Sequence, residues 1–144
     1  MLTMIGIHPR FAALSEPVRT EGGLLSGIPG LDPAITAFKG VPFAAPPVGE
    51  LRWQTPRPPL PWKGARSADR FGKISVQTQH GAAVPMGEDC LLLNLYSAGE
   101  RRPVFMWIYG GRFIGGAGSE PHYDGEGLAR EGLVVVMRNG GSRI

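Results

Sequence analysis

The sequence predicts an α/β protein with a parallel sheet, and three observations carry that expectation. Val104 to Tyr109 is an unbroken apolar and aromatic run, too short for a stable helix and rich in strand-forming residues, so it reads as a buried strand. It breaks at once into glycines, with Gly110, Gly111, Gly115, Gly116 and Gly118 within ten residues. Gly125 to Glu131 (GEGLARE) then reads as a short helix, and Leu133 to Met137 (LVVVM) as another buried strand. Strand, loop, helix, strand is the βαβ order, which implies parallel strands covered on both faces.

The remaining elements follow in chain order. Residues 1–17 show no firm period and read as a loose lead-in to one incomplete domain over 18–144. Val18 to Ser26 and Ala34 to Lys39 read as short strands separated by the turn-rich GIPGLDP. Phe38 to Trp53 (FKGVPFAAPPVGELRW) is proline-stiffened. Proline lacks an N–H and fixes φ, so this segment is expected to lie extended across a surface, neither helix nor central strand. Prolines continue to Trp62, and with Phe43, Trp53 and Trp62 they suit a packed wrap better than a recognition peptide. Leu91 to Tyr96 is a further apolar strand, and Arg101 and Arg102 mark the turn before Val104.

Composition narrows the function classes. Of 144 residues, 42% are hydrophobic and 19% charged; Gly (22) and Pro (14) make up a quarter but form no repeat, which fits a loop-rich globular chain. The net charge is only +3. The basic run Arg52, Arg57, Lys63, Arg66, Arg70 and Lys73, against Asp69 alone, lies among prolines without regularly spaced aromatics, so it reads as a solvated face and not a nucleic-acid site. One cysteine, Cys90, leaves no intrachain disulfide. No stretch resembles a secretory signal or approaches the ~20 apolar residues of a membrane span, so a cytoplasmic location without membrane contact is the default expectation.

Glycine at this density lets a backbone approach a ligand and aim its N–H groups outward. Two phosphate-binding patterns fail: Gly116-Ala117-Gly118 is followed by Ser119, Glu120 and Pro121, and no Gly-Lys-Ser/Thr follows Gly111 or Gly116. What remains is an oxyanion loop of the kind that follows a sheet strand in α/β-hydrolases.

FKGVPFAAPPVGELRW, GEDCLLLNLY and VFMWIYGGRFIGGAG, in this order and spacing, resemble the N-terminal part of the type B carboxylesterases, the cholinesterase-like family, over about Val18 to Asn139. The resemblance implies an α/β-hydrolase fold truncated to its N-terminal strands and oxyanion loop, and a serine esterase chemistry without a cofactor or metal. Its partner would be a small-molecule ester in a complete homologue; oligomeric state is left open. It places Gly110, Gly111 and Arg112 on the family's three oxyanion-loop glycines, the latter two usually donating their N–H groups; Arg112 is a departure. The family's serine, acid and histidine lie downstream, so this chain reads as a truncated member, inactive by itself. The alternative is a non-catalytic cholinesterase-like binding or adhesion module. The family also often pairs the cysteine of the EDC motif with an earlier one; that position is Ser75 here, which leaves Cys90 as a small buried hydrophobe.

Ser119, His122 and Asp124 are close in sequence, but a triad needs a nucleophile on a strained elbow, so Ser119 and Asp124 read instead as satisfying loop and helix-cap N–H groups. His8 and His80 have no catalytic context. Arg52 and Glu88 are expected to form an ion pair, since each neighbours apolar residues and the resemblance brings the two segments together.

Overall fold

The structure, a computed structural model, describes residue 14 and residues 16–78, 85–112 and 114–139; His8 and His80 lie outside them. Its strands are Val18–Arg19 (β1), Leu24–Ser26 (β2), Ile28–Pro29 (β3), Thr36–Pro42 (β4), Ala65–Ser67 (β5), Leu92–Ser97 (β6), Val104–Trp107 (β7) and Val134–Asn139 (β8), with one α-helix, Glu126–Arg130 (α1). They form a three-stranded sheet, β1-β2-β5, and a five-stranded sheet, β3-β4-β6-β8-β7.

Local chemistry divides the first segment. The Thr20 amide and hydroxyl both donate to the Gly23 carbonyl, at 2.9 and 2.8 Å, so Val18 to Ser26 is a hairpin and not the single strand expected. Trp62 fastens this hairpin: its indole N–H donates to the Leu24 carbonyl (2.7 Å) and its amide to Gly22 (2.9 Å). Glu16 accepts the Ser26 hydroxyl (2.8 Å) and the Gly27 amide (2.9 Å), so the end of the lead-in is tied to β2.

The βαβ unit β7-α1-β8 is parallel as expected, but β4, β6 and β8 pair antiparallel, so the sheet is mixed. An apolar run marks a strand without giving its direction, and here only one βαβ unit fixes it. The middle of the sheet is covered on both faces. Ala37, Tyr96, Val135 and Met137 pack with Ala129 of α1, while Phe38, Val41, Leu93 and Leu95 pack with Leu25 of the small sheet and with Ala68, just past β5. α1 is only five residues long, and its place is secured by a carboxylate: the buried Glu126 accepts the Leu31 amide (3.0 Å) and the Asp32 amide (2.6 Å). Burying a charge is tolerable because its oxygens are hydrogen-bonded.

Two expectations are corrected by position in the sheet. β7 is not buried: Val104 to Ile108 are 38–70% exposed, because among the described residues β7 pairs only with β8 and forms the edge of the sheet. The proline-stiffened segment does contribute a central strand, since β4 extends to Pro42 by accepting a register shift between Phe38 and Val41. Past the buried Ala44 and Ala45 the wrap is loose. Gly49–Leu51 is a single 3-10 turn, and Trp53 stands 74% exposed, against the packed role expected for it.

Charges distribute as pairs. Arg52 and Glu88 form the expected ion pair, with side chains 56% and 40% exposed. Arg70 pairs with Asp69, and its hydrogen bond holds the Asp69 carboxyl below the usual carboxylate range. Arg66 lies over the Trp62 ring, 5.5 Å from its centroid.

Candidate active site

The glycine loop leaves the exposed end of β7 and returns into the core before α1. Its outer half is a turn on one carbonyl: Gly111 accepts the Ile114 amide at 2.8 Å and the Gly115 amide at 3.3 Å. Gly110, Gly111 and Arg112 are exposed, and the N–H groups of Gly111 and Arg112 make no hydrogen bond to the described residues. Arg112 sits at φ +52°, the left-handed region that an L side chain disfavours by about 1–2 kcal/mol. Here the departure from glycine is felt in the backbone.

The inner half of the loop is held from three sides. Gly116 exchanges two hydrogen bonds with the Gln77 side chain: its amide donates to Oε1 (2.6 Å), and its carbonyl accepts from Nε2 (3.0 Å). At φ +117°, with a hypothetical Cβ 2.7 Å from the Tyr109 ring, this position admits only glycine. Ala117 donates to the Glu120 carboxylate at 3.0 Å. The third hold is Asn94, 1% exposed within β6; it donates to the Gly118 carbonyl (3.4 Å) and accepts the Gly40 amide (3.0 Å) that the β4 irregularity frees. The sequence reading missed all three anchors. Asn94 had a signal, a polar residue inside LLLNLY that must find partners if buried. Gln77 had none.

A cleft of about 440 Å³ opens beside the loop, with Ile114, Tyr109, Gln77, Cys90, Arg52 and Glu88 among its lining residues. Cys90 is buried, and burial, then the charge of Asp89, pushes its thiol up from the ordinary value, consistent with a small hydrophobe and not a nucleophile. Ser75 lines the same cleft.

The nearby Ser119, His122 and Asp124 do not make a triad. Asp124 accepts the Glu126 amide at 2.9 Å, which is the capping role expected for it. His122 is 63% exposed, with Nε2 3.4 Å from Glu120 and its ring against Tyr123. The Ser119 hydroxyl is buried with no hydrogen-bond partner among the described residues, which corrects its expected role of satisfying the loop. Among the described residues no group of three or more His, Cys, Asp or Glu side chains is placed to hold a metal, and no helix is long and apolar enough to cross a membrane.

Comparison with known proteins identifies relatives of the chain. A model of the carboxylesterase family matches residues 15–139. The chain is 42% identical over 128 residues to the fumonisin B1 esterase of Sphingopyxis macrogoltabida, covering 83% of this chain and 23% of that protein. It is 36% identical over 129 residues to the para-nitrobenzyl esterase of Bacillus subtilis (strain 168), covering 83% and 26%. Among solved structures, a PNB esterase superposes with a TM-score of 0.77 at 35% identity, over 85% of this chain and 27% of that one. The Geobacillus stearothermophilus carboxylesterase EST55 gives 0.75 at 41%, over 85% and 26%. The fold is therefore that of the α/β-hydrolases, and the chain spans about a quarter of the length of the relatives it matches.

Proposed function

Because the chain belongs to the carboxylesterase family, we propose that it supplies the N-terminal strands and oxyanion loop of a serine hydrolase acting on small-molecule carboxylic esters. The nucleophilic serine, its histidine base and the acidic residue are supplied by the downstream part of such a domain. The serine attacks the ester carbonyl while histidine takes its proton, and the carbonyl oxygen gains negative charge in the tetrahedral intermediate. The N–H groups of Gly111 and Arg112 donate to that oxygen, with Gly110 giving the loop its entry from β7. Donors aimed at a developing charge from a fixed backbone cost no reorganisation during reaction. One observation carries this reading: two consecutive N–H groups without protein acceptors among the described residues, on a loop anchored beyond them.

The test uses the chain by itself and the chain joined to the downstream part of a relative such as the para-nitrobenzyl esterase. The 144-residue chain is expected to hydrolyse p-nitrophenyl acetate no faster than a heat-treated control. The joined protein is expected to turn it over, with Arg112→Gly changing kcat by less than about tenfold, since the N–H is retained, and Arg112→Pro lowering it about 10²–10³-fold by deleting a donor. Proline cannot adopt φ +52°, so a matched thermal transition is needed to read that loss as catalysis. Inactivity of Arg112→Gly in a folded joined protein would assign the work to the guanidinium. A well-folded joined protein with no turnover would favour a non-catalytic binding module.

A further inference from the structure

The outer turn carries the two donor N–H groups, yet its internal bonds converge on one carbonyl, that of Gly111. A turn whose hydrogen bonds, among the described residues, close only on itself can pivot as a unit, so something outside it must set its orientation. Gly116, the residue next to the turn, is where an outside group takes hold. Gln77 lies 39 residues earlier in sequence and is half-buried, and its amide faces the Gly116 peptide like the rung of a sheet, accepting at 2.6 Å and donating at 3.0 Å. The Gln77 amide cannot be turned over without loss. Its Nε2 also donates to the Ser75 carbonyl at 3.2 Å, and after a flip the amide N–H groups would meet the Gly116 N–H.

From this double contact we propose that Gln77 is the positioning residue of the glycine loop: by clamping Gly116 at both its N–H and its carbonyl, it fixes where the Gly111 and Arg112 N–H groups point. The consequence for catalysis rests on the esterase reading above; the clamp itself does not. No shorter or singly polar side chain can do this. Asparagine is one methylene short, and a carboxylate accepts from the Gly116 amide but repels its carbonyl. Protonated glutamic acid both donates and accepts, so it can replace glutamine only under acid.

Amide hydrogen exchange on the 144-residue chain tests the clamp. In Gln77→Ala and Gln77→Asn, protection of the Gly116 amide is expected to fall roughly five- to tenfold, the worth of one hydrogen bond, with Val135 in the core unchanged. In Gln77→Glu, whose ionised carboxylate still accepts the Gly116 N–H but repels its carbonyl, protection of Gly116 is expected to fall less than in Gln77→Ala at neutral pH and to approach that of the unsubstituted chain below about pH 4.3, the ordinary glutamate range. Unchanged Gly116 protection in Gln77→Ala, or an equal loss at Val135, would overturn the proposal. In the joined protein, Gln77→Ala should lower kcat roughly tenfold with KM within about twofold, since a misaimed donor weakens the transition state more than the ground state; an unchanged kcat would also overturn it. The exchange arm needs no turnover, so it decides the clamp independently, whereas absence of hydrolysis by the unsubstituted joined protein would count against the esterase reading.

Discussion

The Tyr96 hydroxyl lies in the face where β6 meets α1, and burial, followed by the charges of Asp124 and Glu126, pushes its pKa up to about 12. An unfolded tyrosine titrates near 10, so the folded chain keeps its proton over a pH range in which the unfolded chain has lost it. Folding is then unaffected by this group below about pH 10 and loses roughly 2–3 kcal/mol as pH rises from 10 to 12. Urea unfolding midpoints between pH 9 and 11.5 should fall accordingly, and Tyr96→Phe should remove that part of the fall. Arg52 and Glu88 give the opposite case. Their pairing was legible in the sequence, but its setting was not: apolar sequence neighbours implied burial, whereas the side chains are 56% and 40% exposed. A double-mutant cycle with Arg52→Ala and Glu88→Ala should return less than about 1 kcal/mol of coupling. Gln77 could not be read at all, because its role depends on a loop 39 residues away and no periodicity links the two.

At the level of elements, apolar runs located β6, β7 and β8 to within a residue or two, since such runs are what a sheet demands. Direction and depth escaped, because both depend on which strands flank each one. α1 shows how an element too short to stand alone is kept. Five residues bury little, and Glu126 compensates by holding the backbone of Leu31 and Asp32. Glu126→Ala should therefore cost about 1–3 kcal/mol by leaving these amides without their acceptor, and Glu126→Gln less, since one acceptor oxygen survives. Chemical denaturation of the three proteins compares them directly. The sequence offered the charge at the first turn of the helix but no hint that it reaches back to the turn between β3 and β4.

For the whole molecule, the α/β class and the glycine loop were legible, while the mixed sheet and its bare edge were not. β7 presents Val104, Phe105, Met106 and Trp107 with its outer edge unpaired among the described strands, and none of these four residues is a charge or a proline. Such an edge is a template for further strand pairing. The chain should bind a hydrophobic dye strongly and self-associate with rising concentration. Val104→Lys with Met106→Lys should reduce both, as followed by dye fluorescence and sedimentation, without lowering the thermal midpoint. Dye binding unaffected by these lysines would locate the exposed surface elsewhere.

The strand order β6-β8-β7 also bears on how a ribosome delivers this protein. β6 and β7 are separated by only residues 98–103 and emerge one after the other, close enough to close as a hairpin. In the finished sheet they do not pair; β8, the last of these three in sequence, lies between them and bonds to both. Until β8 emerges, the growing chain holds two apolar strands whose nearest available mate is the wrong one. The basic pair Arg101 and Arg102 and the proline at position 103 stand at that juncture, Arg101 at φ +53°. Synthesis speed past residue 134 thus becomes a determinant of yield, independent of the stability of the folded product.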